Sequence, residues 1–164
     1  MRNLVLIAHN IRSAHNVGSL LRTAEGLGAA KVYLTGYTPH PSYIGDTRLP
    51  HISNKQDALI GKTSLGAERM VPWTYEEDIF TVLSRLRAQG YEIYALEQTA
   101  DSVQLPGFKA GEKCALLLGS EVTGIAPELL AETSISLVIP MYGRKESFNV
   151  VQAAAMALYE LRFH

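Results

Sequence analysis

The chain has one cysteine, Cys114, in 164 residues, so no internal disulfide can staple it. Long apolar runs are missing too. The opening Met1-Arg2-Asn3-Leu4-Val5-Leu6-Ile7-Ala8 is too short in its apolar part for a signal peptide or a membrane span, and a cytoplasmic protein is expected. Charged residues are sparse, 19% against 47% hydrophobic, and no low-complexity tract or internal repeat occurs; this excludes disorder and points to a globular chain. A net charge of -1 also lacks the cation surplus usual for a surface that meets nucleic acid. The charge is unevenly spread, however. Residues 1–70 carry 8 Lys/Arg against 4 Asp/Glu, a net +4, while residues 71–164 carry 7 against 12, a net -5, so a basic face is compatible with the near-neutral total.

Familiar ligand motifs are absent as well. Gly61-Lys62-Thr63 imitates the end of a phosphate-binding loop, but Gln56 stands at the required first glycine. A dinucleotide fold would want a glycine-rich turn after its first strand, where this chain has His9-Asn10-Ile11-Arg12-Ser13, and Gly26-Leu27-Gly28 reaches Lys31 at its third glycine position. His9, His15, His40 and His51 lack metal-ligand spacing and read as surface or loop residues, so no metal is expected. Cys114, inside an apolar stretch, reads as an inert core residue.

The length fits one domain, residues 1–164, without a linker. Leu4 to Ala8 reads as a buried strand. Asn16 is placed to cap a helix whose apolar positions Val17, Leu20, Leu21, Ala24 and Leu27 keep helical spacing up to Gly28. Lys31 to Thr35 is a second strand, followed by a long loop marked by Gly36, Pro39, Pro41, Gly45 and Pro50. A short helix is expected over Lys55 to Ile60 and a brief strand over Arg69 to Val71. Thr74 with Glu77 reads as a capping box before a helix carrying Ile79, Phe80, Val82, Leu83 and Leu86 and stopped by Gly90. Tyr91 to Leu96, Cys114 to Leu118 and Ser136 to Ile139 read as strands, Pro127 to Ala131 as a short helix, and Phe148 to Leu161 as a closing helix apolar nearly all round. Alternating strands and helices predict an α/β fold with a mainly parallel sheet covered on both faces.

Three segments carry the functional signal. Leu117-Leu118-Gly119-Ser120-Glu121-Val122-Thr123-Gly124 and Ile139-Pro140-Met141-Tyr142-Gly143-Arg144-Lys145-Glu146-Ser147-Phe148-Asn149-Val150 are apolar runs that break into glycine and small polar residues. This is how a buried strand delivers backbone to a ligand at the carboxyl end of an open sheet. The third is Asn16-Val17-Gly18-Ser19-Leu20-Leu21-Arg22-Thr23-Ala24. Taken alone, Gly119 and Gly124 are compatible with plain turns, Asn16 with a cap and Arg22 with a solvated helix residue.

Together and in this order the three segments resemble the motifs of the SpoU/TrmH branch of the SPOUT RNA methyltransferases, over almost the whole chain. The resemblance implies a deep carboxyl-terminal trefoil knot, a homodimer to which the closing helix contributes, and S-adenosylmethionine as cofactor. It places Leu96, Gly119, Ile139, Pro140, Met141 and Phe148 at cofactor-contacting positions. Arg22 falls where the family's arginine activates a ribose hydroxyl, Asn16 where an asparagine assists, and Glu121, Ser147 and Asn149 at further active-site positions. Val122 departs from a common glycine and Phe148 from a common leucine. The implied activity is methyl transfer to a ribose 2′-hydroxyl of structured RNA, tRNA or rRNA. A non-catalytic RNA-binding module or a base methylase of the same fold are the alternatives. Without a separate amino-terminal RNA-binding domain, recognition would fall to Arg12, Arg48, Lys55, Lys62, Arg69, Arg144 and Lys145, or to a partner.

Overall fold

Four strands rich in Leu, Ile, Val and Ala are buried on both faces, which selects a parallel sheet sandwiched between helices. The computed structural model describes residues 2–164. In chain order the elements are β1 (Asn3–His9), α1 (Ala14–Gly26), β2 (Lys31–Thr35), α2 (Pro50–Ser64), a 3-10 turn (Ala67–Arg69), β3 (Trp73–Glu76), α3 (Ile79–Ala88), β4 (Glu92–Leu96), β5 (Val103–Gln104), β6 (Lys113–Leu118), α4 (Pro127–Leu130), β7 (Ile135–Val138) and α5 (Val150–Phe163). One seven-stranded sheet has the order β3-β2-β1-β6-β4-β7-β5, and every pairing is parallel. All strands therefore end on the same edge, which gathers the loops after β1, β2, β4, β6 and β7.

Alternation along each strand divides the core in two. Leu4, Leu6 and Ala8 of β1, with Val32, Leu34, Cys114 and Leu116, meet α1 and α5; Val5 and Ile7, with Tyr33, Ile93, Ala115 and Leu117, meet α3 and α4. Burial pushes the Cys114 thiol up to about 11, which suits a core residue rather than a nucleophile. After β7 the chain returns across the sheet, so that α5 packs against α1, β1 and β6. Arg162 fastens its end: the buried guanidinium donates to the carbonyls of Leu27 at 2.9 Å, Gly28 at 2.6 Å and Arg2 at 2.5 Å. Among the described residues no helix is long and apolar enough to cross a membrane.

Several local expectations are corrected. The cap of α1 is Ser13, whose Oγ accepts the Asn16 N–H at 3.2 Å, so Asn16 lies within the helix. The cap of α3 is Asp78, because Thr74 pairs with Tyr33 in the sheet. Arg69 to Val71, expected as a strand, instead end the 3-10 turn and run into a bend, α2 runs far beyond Lys55 to Ile60, and β5 is not anticipated. His40 is buried, its ring stacked on Tyr75 at 4.0 Å.

Candidate active site

At the end of β6 the backbone turns at Gly119. A Cβ there would stand 2.6 Å from the carbonyl of Gly124 and from Ile125, so only glycine lets the following loop fold back this closely. Ser120 and Gly124 exchange backbone hydrogen bonds of 3.1 and 2.9 Å, and Ser120 Oγ accepts the N–H groups of Val122 at 3.2 Å and Thr123 at 3.3 Å. Val122 itself has no left-handed backbone and is 70% exposed, so the position makes no demand for glycine.

Under this loop lies Glu97, the first residue beyond β4. Its carboxylate accepts the Ile125 N–H at 2.8 Å and the Gln98 N–H at 3.0 Å, and it occupies the space a side chain at Gly124 would need. Sequence reasoning missed Glu97. The available signal was an acidic residue directly after an apolar strand, at the edge where open sheets bind ligands.

The loops after β4, β6 and β7 and the start of α5 enclose an open cavity of about 640 Å³, within the usual range for small-molecule sites. Leu96, Gly119, Ile139, Met141 and Phe148 all line it, as do Glu121, Ser147 and Asn149; Pro140 does not. Asn149 also caps α5, accepting the Val151 N–H at 2.9 Å, which orients the helix toward the cavity. Glu97, Glu121 and Glu146 make the wall acidic.

Asn16 reaches this site through Glu121. Its Nδ2 donates to Glu121 Oε1 at 3.1 Å, while the Arg12 N–H donates to Oε2 at 3.0 Å, so one carboxylate joins the loop after β1 to the loop after β6. Burial pushes the Glu121 pKa up, but the Arg12 and Asn16 donors outweigh it and the net shift is downward, keeping the group ionised. Arg22 is not brought along. Six residues beyond Asn16 on the same helix, it is turned by about 240°; it is exposed and does not line the cavity.

The remaining cations divide. Arg12 is exposed beside the site, Arg144 and Lys145 are exposed in the loop that forms its wall, and Arg69 is exposed next to Glu68. Lys55 and Lys62, seven residues apart on α2, share one exposed helix face. Arg48 is corrected as a free phosphate contact: it is half-buried and spends its guanidinium on Asp46, on Gln56 and on the carbonyls of His40 and Pro41.

Known proteins resemble this chain in sequence and fold. A 23S rRNA (guanosine(2553)-2′-O)-methyltransferase of Bacillus subtilis is 31% identical over 96% of this chain, which spans 57% of that protein. A tRNA (guanosine(18)-2′-O)-methyltransferase of Escherichia coli is 26% identical over 96% of this chain, which spans 62% of it. The chain thus covers less than two thirds of either relative. The crystal structure of an AdoMet-bound rRNA methyltransferase from Sinorhizobium meliloti shares the fold with a TM-score of 0.76, at 24% identity over 96% of this chain and 55% of that one. Residues 3–159 match the model of the SpoU rRNA Methylase family. With that match spanning nearly all of its length, the chain belongs to the SpoU rRNA methylase family.

Proposed function

We propose that this chain transfers a methyl group from S-adenosylmethionine to a ribose 2′-hydroxyl of tRNA or rRNA, in the cytoplasm. The observation that carries the reading is the Glu121 tether, which brings the segment around Asn16 against the cavity built by the other two motif segments. The residues present fit the cofactor. Leu96, Ile139, Met141 and Phe148 offer apolar contact, the folded-back loop from Gly119 to Gly124 offers backbone, and Glu97, Glu121 and Glu146 suit a ligand with cationic groups. When bound, S-adenosylmethionine supplies a methyl group activated on a positively charged sulfur.

The chain's own contribution is chiefly positioning, worth up to about 7–11 kcal/mol in a well-held geometry. Asn16 and Glu121 fix the lip of the site, and Ser147 and Asn149 its opposite wall. A guanidinium, with a pKa above about 12, is a poor base. Arg22 acts instead by orienting the ribose hydroxyl and stabilising the charge that develops on its oxygen, while another group or water takes the proton. Because Arg22 lies outside the cavity of its own chain, the reading includes a homodimer in which Arg22 of a second copy completes the site. The exposed Met156, Tyr159 and Phe163 of α5 support such a pairing. The return of α5 across the sheet supports the deep trefoil knot that the family implies. Arg12, Lys55, Lys62, Arg69, Arg144 and Lys145 supply phosphate contacts, within a single catalytic domain.

The test is transfer of labelled methyl groups from S-adenosylmethionine into unmodified tRNA and rRNA transcripts. Label is expected in linkages that resist alkali, since a methylated 2′-oxygen cannot attack the adjacent phosphate. No calorimetric binding of S-adenosylmethionine, or an alkali-labile product, overturns the reading.

A further inference from the structure

Between β2 and α2, residues 36–49 form no regular structure, yet they are held in place. Arg48 closes on Asp46 and on the His40 carbonyl at 3.0 Å, and the Ser42 N–H and hydroxyl both donate to Asp57, at 2.7 and 2.5 Å. Tyr75 stacks on His40 and donates its hydroxyl to the Gly36 carbonyl at 2.8 Å. A long loop anchored by a buried stretch, Thr38 to Pro41, and by side-chain bonds on either side of it is characteristic of a binding element.

This loop displays rings to solvent. Tyr37 is 56% and Tyr43 46% exposed, and Ile44 is fully exposed between Tyr43 and the loop's stapled end. The ring of Tyr43 is fixed at 5.7 Å from that of His40 and edge-on to Trp73 at 6.4 Å, so its orientation is set before any ligand arrives. The backbone of Tyr37 is held by its N–H, which donates to Asn10 Oδ1 at 3.1 Å, and the next residue accepts the Ile11 N–H on Thr38 Oγ1 at 3.1 Å. Arg12, two residues after Asn10, donates to Glu121 at the cavity lip. The platform and the candidate site are therefore stitched to the same short segment. Their parent strands β2 and β6 both flank β1, which puts the roots of the two loops about 10 Å apart.

We infer that Tyr37 and Tyr43 form a stacking platform for unpaired nucleobases of the RNA that flank the methylated nucleotide. The inference rests on the RNA-methyltransferase reading. Charge guides the choice of occupant: on the α2 side of the loop the carboxylates of Asp46 and Asp57 are engaged by Arg48 and Ser42 while Lys55 stands exposed, and the acidic Glu76 and Glu77 lie on the β3 side, near Tyr75. Exposed rings beside an exposed cation are how proteins hold unpaired bases, through the π-face common to all four.

The experiment measures binding of a 12-nucleotide single-stranded oligoribonucleotide containing 2-aminopurine, and of the same sequence as a perfect duplex, by fluorescence. Tyr37→Ala and Tyr43→Ala should each weaken single-strand binding by about 5- to 100-fold and reduce the quenching of 2-aminopurine. Duplex affinity and the salt slope should stay unchanged, because no cation is removed. Tyr37→Phe and Tyr43→Phe keep the ring and should bind within about twofold of the parent chain. Single-strand affinity unaltered in the Ala variants, or weakened equally in the Phe variants, overturns the platform. So does a change of oligomeric state in the Ala variants, which would assign the rings to an interface between copies. Calorimetry with S-adenosylmethionine on the same proteins separates the two readings. If the parent chain binds the cofactor and the RNA but the Ala variants lose nothing, the platform alone fails; if the parent chain does not bind the cofactor, the methyltransferase reading fails with it.

Discussion

Glu121 holds two loops with one side chain, and the consequence is pH-dependent. Its folded-state pKa lies below the ordinary 4.5, because the Arg12 N–H and the Asn16 amide outweigh burial. A depressed carboxylate pKa contributes stability that is fully present above pH 4.5 and is lost as pH falls through the folded-state value. Glu121→Gln removes the charge but keeps the shape. The two proteins should differ by about 0.5–1 kcal/mol in urea unfolding at neutral pH, a charge-assisted bond discounted for solvent screening, and the gap should close in acid. A gap that stays constant down to pH 3 would show that the charge is not what holds the loops. At this scale the sequence is informative about residues next to glycine and silent about partners far along the chain. Gly119 and Phe148 can be read from an apolar run that breaks, whereas nothing in the spacing links Glu97 to Ile125, 28 residues on. Likewise Arg48 carries the same formal charge as Lys55, and only the fold shows that Gln56 and the His40 carbonyl, each eight residues away, join Asp46 in consuming it.

Helix packing carries the next level. Gly18 sits where α1 crosses α2, and a Cβ there would collide with the Ile60 carbonyl and with Thr63 Oγ1. Gly18→Ala should therefore destabilise the fold by about 1–3 kcal/mol through overpacking, against the usual gain from replacing a helix glycine. Thermal unfolding decides it, and a variant as stable as the parent chain would mean that α2 shifts freely over α1. The same crossing explains what the sequence conceals about α2. Only Ser53, Ile60 and Ser64 of its 15 residues are buried, because it packs on another helix and not on the sheet, so its apolar periodicity is faint. The inner strands are legible for the opposite reason, being buried on both faces. Thr74 and Glu77 fit a capping pattern, but pairing of β3 with β2 overrides that local preference, and β5, two exposed residues long, leaves no pattern to read.

For the molecule as a whole, the separation of Arg22 from the cavity predicts complementation between copies. Arg22→Ala and Gly119→Ala should each lose most methyl transfer, the first without loss of cofactor affinity. If Arg22 serves the partner's site, a remixed 1:1 sample should recover about a quarter of the parent turnover, since half of randomly formed dimers carry one repaired site. No recovery on mixing, with dimers verified by sedimentation, would place Arg22 in its own subunit's chemistry. The sheet order has a further consequence, for synthesis. The central strand β1 pairs on one side with the nearby β2, but its other side waits for β6, with Asn3 opposite Lys113 and Ala8 opposite Leu118. Roughly 80 residues separate the end of β2 from the start of β6, which takes on the order of 4–16 s to translate. Through that interval a nascent chain carries Leu4 to Ala8, apolar on both faces, with one row of backbone groups unpaired and open to any other strand in reach.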